Sequence, residues 1–265
     1  MNLSFGFSPC PNDTFMFHAL AKGLLTLPGY EIEARLHDVE TLNKMAFGQV
    51  LDISKMSFYA WLQVKENYHL LKSGGALGYG CGPVVIAKPD KKNLDLNQAK
   101  IILPGRWTTA HLLFQLWAPN ASNRHFIPYE QIFNSLEKGQ ADMGVIIHES
   151  RFTFAQAGFV EIIDLGKWWE MKTSLPIPLG CIAVKKNLPK EKIAALEDLI
   201  RQSIALARKH PETCLPYIRH YAQEFEENIL TSHINTFVNE FSEDMGEIGQ
   251  DALVKLEELA RQVGV

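Results

Sequence analysis

The stretch FSPCPNDTFMFHAL, residues 7–20, decides how the chain is to be read. Leu3 to Phe7 is a short apolar run of β character, and from Thr14 to Leu25 apolar residues recur at helical spacing (Phe15, Phe17, Ala19, Leu20, Leu24). Between the two runs, Pro9 and Pro11 stiffen the chain. Asn12, Asp13 and Thr14 offer side chains that accept from the first free amides of a helix. A strand that passes through a polar turn straight into a helix is the repeating unit of an α/β protein, and unpaired amides at such a corner can bind an anion. Capped strand-to-helix turns also occur without any ligand, so the corner alone leaves both readings open.

Outward from this corner the alternation continues. Tyr30–His37 and Asp52–Ser57 have strand character around a helical Val39–Gly48, a short helical piece starts at Phe58, and His69–Lys72 is strand-like. Glycines at 74, 75, 78, 80 and 82 then loosen the chain before a strand at Pro83–Ala87 and a polar Pro-Asp-Lys-Lys stretch. A second series starts near Ala99: strand Lys100–Leu103, helix Thr108–Trp117, strand Arg124–Pro128, helix Tyr129–Lys138 and strand Ala141–Ile147, with further strands at Phe159–Asp164 and Gly180–Lys185. Beyond Pro189 the pattern turns helical. Ile193, Leu196, Leu199, Ile200, Ile204 and Ala207 form one apolar face, and Ile248, Ala252, Leu253, Leu256, Leu259 and Val263 form another.

The sequence thus predicts two α/β lobes with largely parallel sheets, followed by a helical tail. Ligands of such sheets lie beyond the carboxyl ends of the strands, so SPCPNDT in the first lobe and LPGRWTTAH in the second would face each other across one cleft. Two turns that each present helix amides suit a small acidic ligand.

Composition narrows the function classes. The chain has 265 residues, 46% hydrophobic and 21% charged, with a net charge of −4 and no basic tract, which argues against nucleic-acid or membrane-surface partners. The opening MNLSFGFSPCPND lacks the basic and apolar regions of an export signal, and no run is long enough to span a bilayer, so a cytoplasmic protein is expected. The four cysteines (Cys10, Cys81, Cys181, Cys214) are widely spaced, as in reduced thiols.

No HExxH, GxSxG, Walker or dinucleotide motif is present, so neither a metal nor a cofactor is expected. His18, His111, His210 and His220 fall in helical segments, and His37, His69 and His125 lie on or beside strands, where packing accounts for them. His148 stands apart. It closes ADMGVIIHES at the carboxyl end of a buried strand, where a neutral imidazole can take a proton as a general base. A histidine merely satisfied at a strand end fits the same pattern. Ser57, ending DISKMSF, is placed either to donate to a ligand oxygen or to cap the next helix.

SPCPNDTF at 8–15, KMSF at 55–58, GPVVIAK at 82–88, LPGRWTTA at 103–110, GVIIHESRFTF at 144–154 and LPIPLGCIAV at 175–184 together resemble the 1,4-dihydroxy-6-naphthoate synthase family of the futalosine route to menaquinone. The resemblance runs in order along the chain to about the start of the helical tail. It implies a two-lobed fold like that of type II periplasmic binding proteins, with the ligand cleft between the lobes and the C-terminal helices packed on the first lobe. Crossings at Pro83–Pro89 and Gly180–Lys186 would make residues 1–88 with 185–265 one lobe and 89–184 the other.

It also implies a carbon–carbon lyase without metal or redox cofactor. Such an enzyme opens cyclic dehypoxanthinyl futalosine to 1,4-dihydroxy-6-naphthoate and a small dihydroxy fragment. His148 takes the place of the family's proton acceptor, and the family's substrate contacts fall on Lys55, Met56 and Ser57 and on Thr109 and Ala110. Ser8, Asn12, Asp13 and Thr14 would form a wall of that site, with Glu149 held loosely as a partner of the histidine. Lobe closure would keep water out. A chorismate dehydratase of the same fold, or a binding protein for small acids, are the alternatives. The amphipathic tail suits either a homodimer interface or a cover for the first lobe.

Overall fold

A computed structural model describes residues 1–222 and 226–264. β1 (Asn2–Phe7) is buried beyond its first residue and leads into α1 (Pro11–Ala21). Pro11 occupies the start of the helix, where a missing N–H costs nothing, and Cys10 is the N-cap without a side-chain bond. Asn12, Asp13 and Thr14 therefore sit inside the first turn and do not cap it, which corrects the expectation. The helix also ends before Leu24, which is exposed.

β2 (Glu31–Leu36) and β3 (Ile53–Ser57) flank β1 in parallel, joined by α2 (Val39–Phe47), whose cap Asp38 accepts from the amides of Glu40 and Thr41. α3 (Phe58–Val64), β4 (Tyr68–Leu70) and β5 (Ala76–Gly78) follow, the last within the glycine-rich stretch. The second series comprises β6 (Val84–Ala87), β7 (Ile101–Leu103), α4 (Thr109–Trp117), β8 (Arg124–Phe126), α5 (Ile132–Glu137) and β9 (Met143–Ile146). It closes with α6 (Ser150–Thr153), β10 (Val160–Asp164) and α7 (Leu165–Thr173). α7 has no counterpart in the expectation; Asp164 starts it by accepting from the amides of Gly166 and Lys167.

β11 (Ile177–Lys185) precedes the tail, which is α8 (Lys190–Lys209), α9 (Pro211–Tyr221), α10 (Glu227–Phe237), α11 (Glu240–Glu243) and α12 (Gly246–Arg261).

The strands form a six-stranded sheet, β2-β1-β3-β11-β4 with β5 also on β11, and a five-stranded sheet, β10-β6-β9-β7-β8. Both are mixed, not largely parallel. β11 runs antiparallel to β3, β4 and β5, and β6 runs antiparallel to β9 and β10. The reason is topological: these strands carry the chain from one lobe to the other without the crossover helix that a parallel neighbour needs. β6 pairs only in the second sheet and β11 pairs in the first from Ile177 onward. The changes of sheet thus lie between Gly78 and Val84 and between Thr173 and Ile177. At the first change a Cβ on Gly82 would stand 2.2 Å from Gly166 Cα, so only glycine lets the two backbones pass.

One apolar core runs through both lobes. Met56, Phe58 and Leu77 of the first sheet's side share it with Val85 and Ile101 of the second, and with Phe114, Trp169 and Leu256 on helices. α12 packs on β11 and α3 and also reaches α4 of the second lobe. Its Ala252, Leu256 and Leu259 are buried as expected, whereas Ile248 is exposed. α8 buries its whole predicted face against the first lobe, and Ser203 Oγ donates to the Met16 carbonyl over 2.6 Å. The tail covers the first lobe. Among the described residues no helix is long and apolar enough to cross a membrane.

Candidate active site

The carboxyl ends of β1, β3 and β9 and the start of α4 converge on one cleft, about 660 Å³ counting its mouth, a size that suits a small molecule. Its first wall is the corner after β1. Asp13, buried in the first turn of α1, accepts from Ser8 N (3.1 Å) and Ser8 Oγ (2.8 Å) through one oxygen. Through the other it accepts from Asn12 Nδ2 (2.9 Å) and Lys55 Nζ (2.7 Å). Lys55 reaches it from β3, across a strand pair in which Gly180 leaves room: a Cβ there would stand 3.2 Å from Lys55 Cε.

The corner is therefore not the open anion site that its prolines and polar residues suggested. A resident carboxylate takes the Ser8 amide, Ser8 Oγ takes that of Cys10 (3.3 Å), and the lysine balances the charge.

Ser57 neither caps α3 with its side chain nor stands alone. Asn43 of α2 grips it from both sides: Oδ1 accepts from Ser57 N (2.8 Å) and Nδ2 donates to Ser57 Oγ (3.1 Å). The hydroxyl's own proton is left for the cleft that Ser57 lines.

The second wall is the start of α4. Thr108 caps the helix, accepting from the His111 amide, and Thr109 Oγ1 donates to the Leu179 carbonyl (2.8 Å) while accepting from Tyr59 N (3.3 Å). The Thr109 hydroxyl thus links the lobes. What Thr109 and Ala110 can offer a ligand is the first-turn amides, which have no partner within a helix and sit at its positive end.

Glu40 stands behind this wall and was not anticipated. From α2 its carboxylate accepts from Arg106 N (3.0 Å) and Trp107 N (3.1 Å) of the opposite lobe, and burial raises its pKa in spite of those bonds. A Cβ on Gly105 would lie 2.5 Å from Glu40 Oε2, which explains the glycine of LPGRWTTA. The free amides of that turn were visible in the sequence; the carboxylate that fills them, on a distant helix, was not.

His148 lies past the end of β9, at φ 57, in the left-handed region where His is tolerated better than most residues. The expected extended strand end is thus a turn, which swings the ring over the first wall. Its Nδ1 is 3.5 Å from Cys10 Sγ, its ring meets Tyr129 edge-on (centroids 5.1 Å), and it stacks on His233 (6.1 Å, 11° from parallel). Burial lowers its pKa to about 4, partly opposed by Asp13 and reinforced by Lys55. The ring is neutral at physiological pH, as a proton acceptor must be. The same turn brings Glu149 Oε2 to 3.7 Å from His233 Nδ1, so the two residues do not diverge as they would along a strand.

Of the expected site residues, Ser8, Asn12, Asp13, Lys55, Ser57, Thr109, Ala110 and His148 line this cleft. Met56 and Thr14 do not. Alternation along β3 turns Met56 into the core, and Thr14 Oγ1 donates to the Cys10 and Pro11 carbonyls. His233 was missed altogether; Leu230 and Phe237 at helical spacing around it mark its buried face, but nothing local points that face at the cleft.

The chain is 43% identical to the 1,4-dihydroxy-6-naphthoate synthase of Thermus thermophilus, over 96% of its length and 92% of that protein. It is 37% identical to the enzyme of the same name from Streptomyces coelicolor, over 95% and 90%. A crystal structure of an Archaeoglobus fulgidus protein superposes with a TM-score of 0.93 at 31% identity, covering 99% of this chain and 98% of that one. The periplasmic aliphatic sulphonate binding protein of Escherichia coli shares the fold, with a TM-score of 0.66 at 10% identity and coverage of 98% and 87%. The model of a family described as menaquinone biosynthesis matches residues 3–262, so that fold, cleft and sequence agree: the chain belongs to the menaquinone-biosynthesis family.

Proposed function

We propose that this protein is a lyase that converts cyclic dehypoxanthinyl futalosine to 1,4-dihydroxy-6-naphthoate, with His148 as the base. The observation that carries this reading is the placement of a neutral imidazole, in a left-handed turn, on the wall of a cleft that also holds a buried Lys55–Asp13 pair. The likeness to two synthases of that name supports the reaction.

The substrate carboxylate binds at the first-turn amides of Thr109 and Ala110, where a helix's positive end stabilises an anion. Ser57 donates its hydroxyl proton to a substrate oxygen. Lys55, held by Asp13, sets an ammonium at the floor of the site while the pair as a whole stays neutral.

His148 removes a proton, the electron pair so released breaks the ring bond to the small dihydroxy fragment, the imidazolium returns a proton to that fragment as it leaves, and formation of the aromatic naphthalene drives the step. The imidazolium so formed is stabilised by Asp13, whose carboxylate favours the charged ring. The first wall excludes water from this exchange, since its side chains are buried. We assign the enzyme to the cytoplasm, with a small carboxylate as its substrate.

The test is an assay of wild type and His148→Asn with the cyclic substrate, product followed by chromatography and binding by calorimetry. Turnover by wild type, with binding but almost no product in the variant, is expected. Turnover of chorismate in place of the cyclic substrate, or binding without any product, overturns the reading.

A further inference from the structure

The helical tail lines the cleft with Phe237 of α10, and one turn earlier on the same helix a histidine stands behind that lining. His233, on α10, is wholly buried, and its ring lies 11° from parallel to that of His148 with centroids 6.1 Å apart. Its Nε2 is 3.0 Å from Asn12 Oδ1. The amide of Asn12 has its orientation fixed elsewhere, because Nδ2 donates to the Asp13 carboxylate over 2.9 Å. Oδ1 can only accept, so the proton of His233 resides on Nε2.

A chain of hydrogen bonds therefore runs from His233 through Asn12 to Asp13, where Lys55 meets it at 2.7 Å. Burial, the neighbouring His148 and the Lys55 ammonium hold the His233 pKa well below its ordinary value, so the ring stays neutral. Its neutrality matters to its neighbour. A second imidazolium stacked on His148 would oppose the charge that His148 acquires on taking a proton.

We propose that His233 is a positioning residue for the reaction: its Nε2 proton fixes Asn12, Asn12 aims the Asp13 carboxylate that serves both Lys55 and the His148 cation, and its ring face sets the plane of His148. The inference rests on the reading of His148 as the base. α10 thereby contributes to the active site itself, which gives the tail a role beyond covering the first lobe. Groups facing the two rings are Cys10, Asp13, Lys55, Tyr129, Glu149 and the Phe237 ring, 4.7 Å from that of His233, and none of them supplies the donor that Asn12 Oδ1 receives from His233.

The experiment compares wild type, His233→Phe, His233→Gln, Asn12→Ala and the double variant His233→Phe/Asn12→Ala on the cyclic substrate. The phenylalanine keeps a ring and removes the donor. It is expected to lower kcat roughly 10²-fold, the scale of loss for a misplaced catalytic group, with KM within about two-fold. Glutamine, which restores a donor to Asn12, should recover most of that loss. If His233 acts through Asn12, the double variant is no slower than Asn12→Ala alone.

His233→Asn, whose shorter amide falls short of Asn12, reads the same loss should the phenylalanine variant not fold. Unchanged kcat in the donor-less variants, or losses that multiply in the double variant, overturn the inference and leave the role of His148 standing. Absence of product from wild type overturns the role of His148 itself.

Discussion

Lys55 Nζ stands 2.7 Å from Asp13 Oδ1, with only 6% and 1% of the two side chains exposed. Two opposite charges this deep are tolerated because the carboxylate is further served, accepting from Ser8 and Asn12 as well. Removing one partner leaves the other buried and uncompensated. Lys55→Met is expected to destabilise the fold by about 3–5 kcal/mol. Asp13→Asn should cost a similar amount, and the double variant less than the sum, as urea unfolding of the three proteins will show.

The turn at His148 separates stability from activity. At φ 57 alanine carries the left-handed penalty of about 1–2 kcal/mol, which the local hydrogen bonding of an Asn side chain offsets in part. Both His148→Ala and His148→Asn are expected to lose nearly all turnover, yet the asparagine variant should melt at the higher temperature. Calorimetric scans of the two variants check the order.

Acid should act on the fold before it acts on the base. Burial holds His148 and His111 near 4, against an ordinary value of 6.5. An unfolded chain therefore binds protons at these residues where the native one does not, and stability falls as pH drops from about 6.5 towards 4. At Asp52, burial is outweighed by the Ser4 amide and hydroxyl and by Lys185, which lower the carboxyl. Its contribution is present above the ordinary carboxylate range and is lost at the acid end of the same descent. The acid limb of kcat/KM should appear near pH 4–5, and an inflection at 6.5 in the native enzyme would show His148 to be solvated.

Glu40 and Gly105 form a joint between lobes. Gly105→Ala places a methyl 2.5 Å from Glu40 Oε2, which must release the amides of Arg106 and Trp107. The expected loss is about 1–3 kcal/mol, the cost of stranding buried donors. Because those amides lead into α4, KM should rise as well. Thermal melts and initial rates on the same preparation test both.

The first-lobe corner was legible because its chemistry is local: prolines, an apolar strand and a helical repeat lie within a few residues of one another. So was the α8 face, where every predicted position is buried. The mixed sheets were not, since the direction of β6 and β11 depends on partners far along the chain. α7 escaped because Trp168, Trp169 and Met171 share no clean helical stripe: Trp169 is buried and Met171 exposed. Among site residues, those on strand ends and helix starts could be placed by topology. Glu40, Asn43 and His233 could not, because each acts by reaching across the fold to a group that its own neighbourhood does not reveal.

The Thr109 hydroxyl on the Leu179 carbonyl and the Glu40 carboxylate on the Arg106 and Trp107 amides are struts between two lobes that already share an apolar core. Swinging the lobes apart would break these struts and expose core side chains, at about 25 cal/mol per Å² of apolar surface. The recess is thus held in shape by the fold itself. The entropy of arranging its walls is settled before any ligand arrives, so binding energy remains available for straining the bond that is to break.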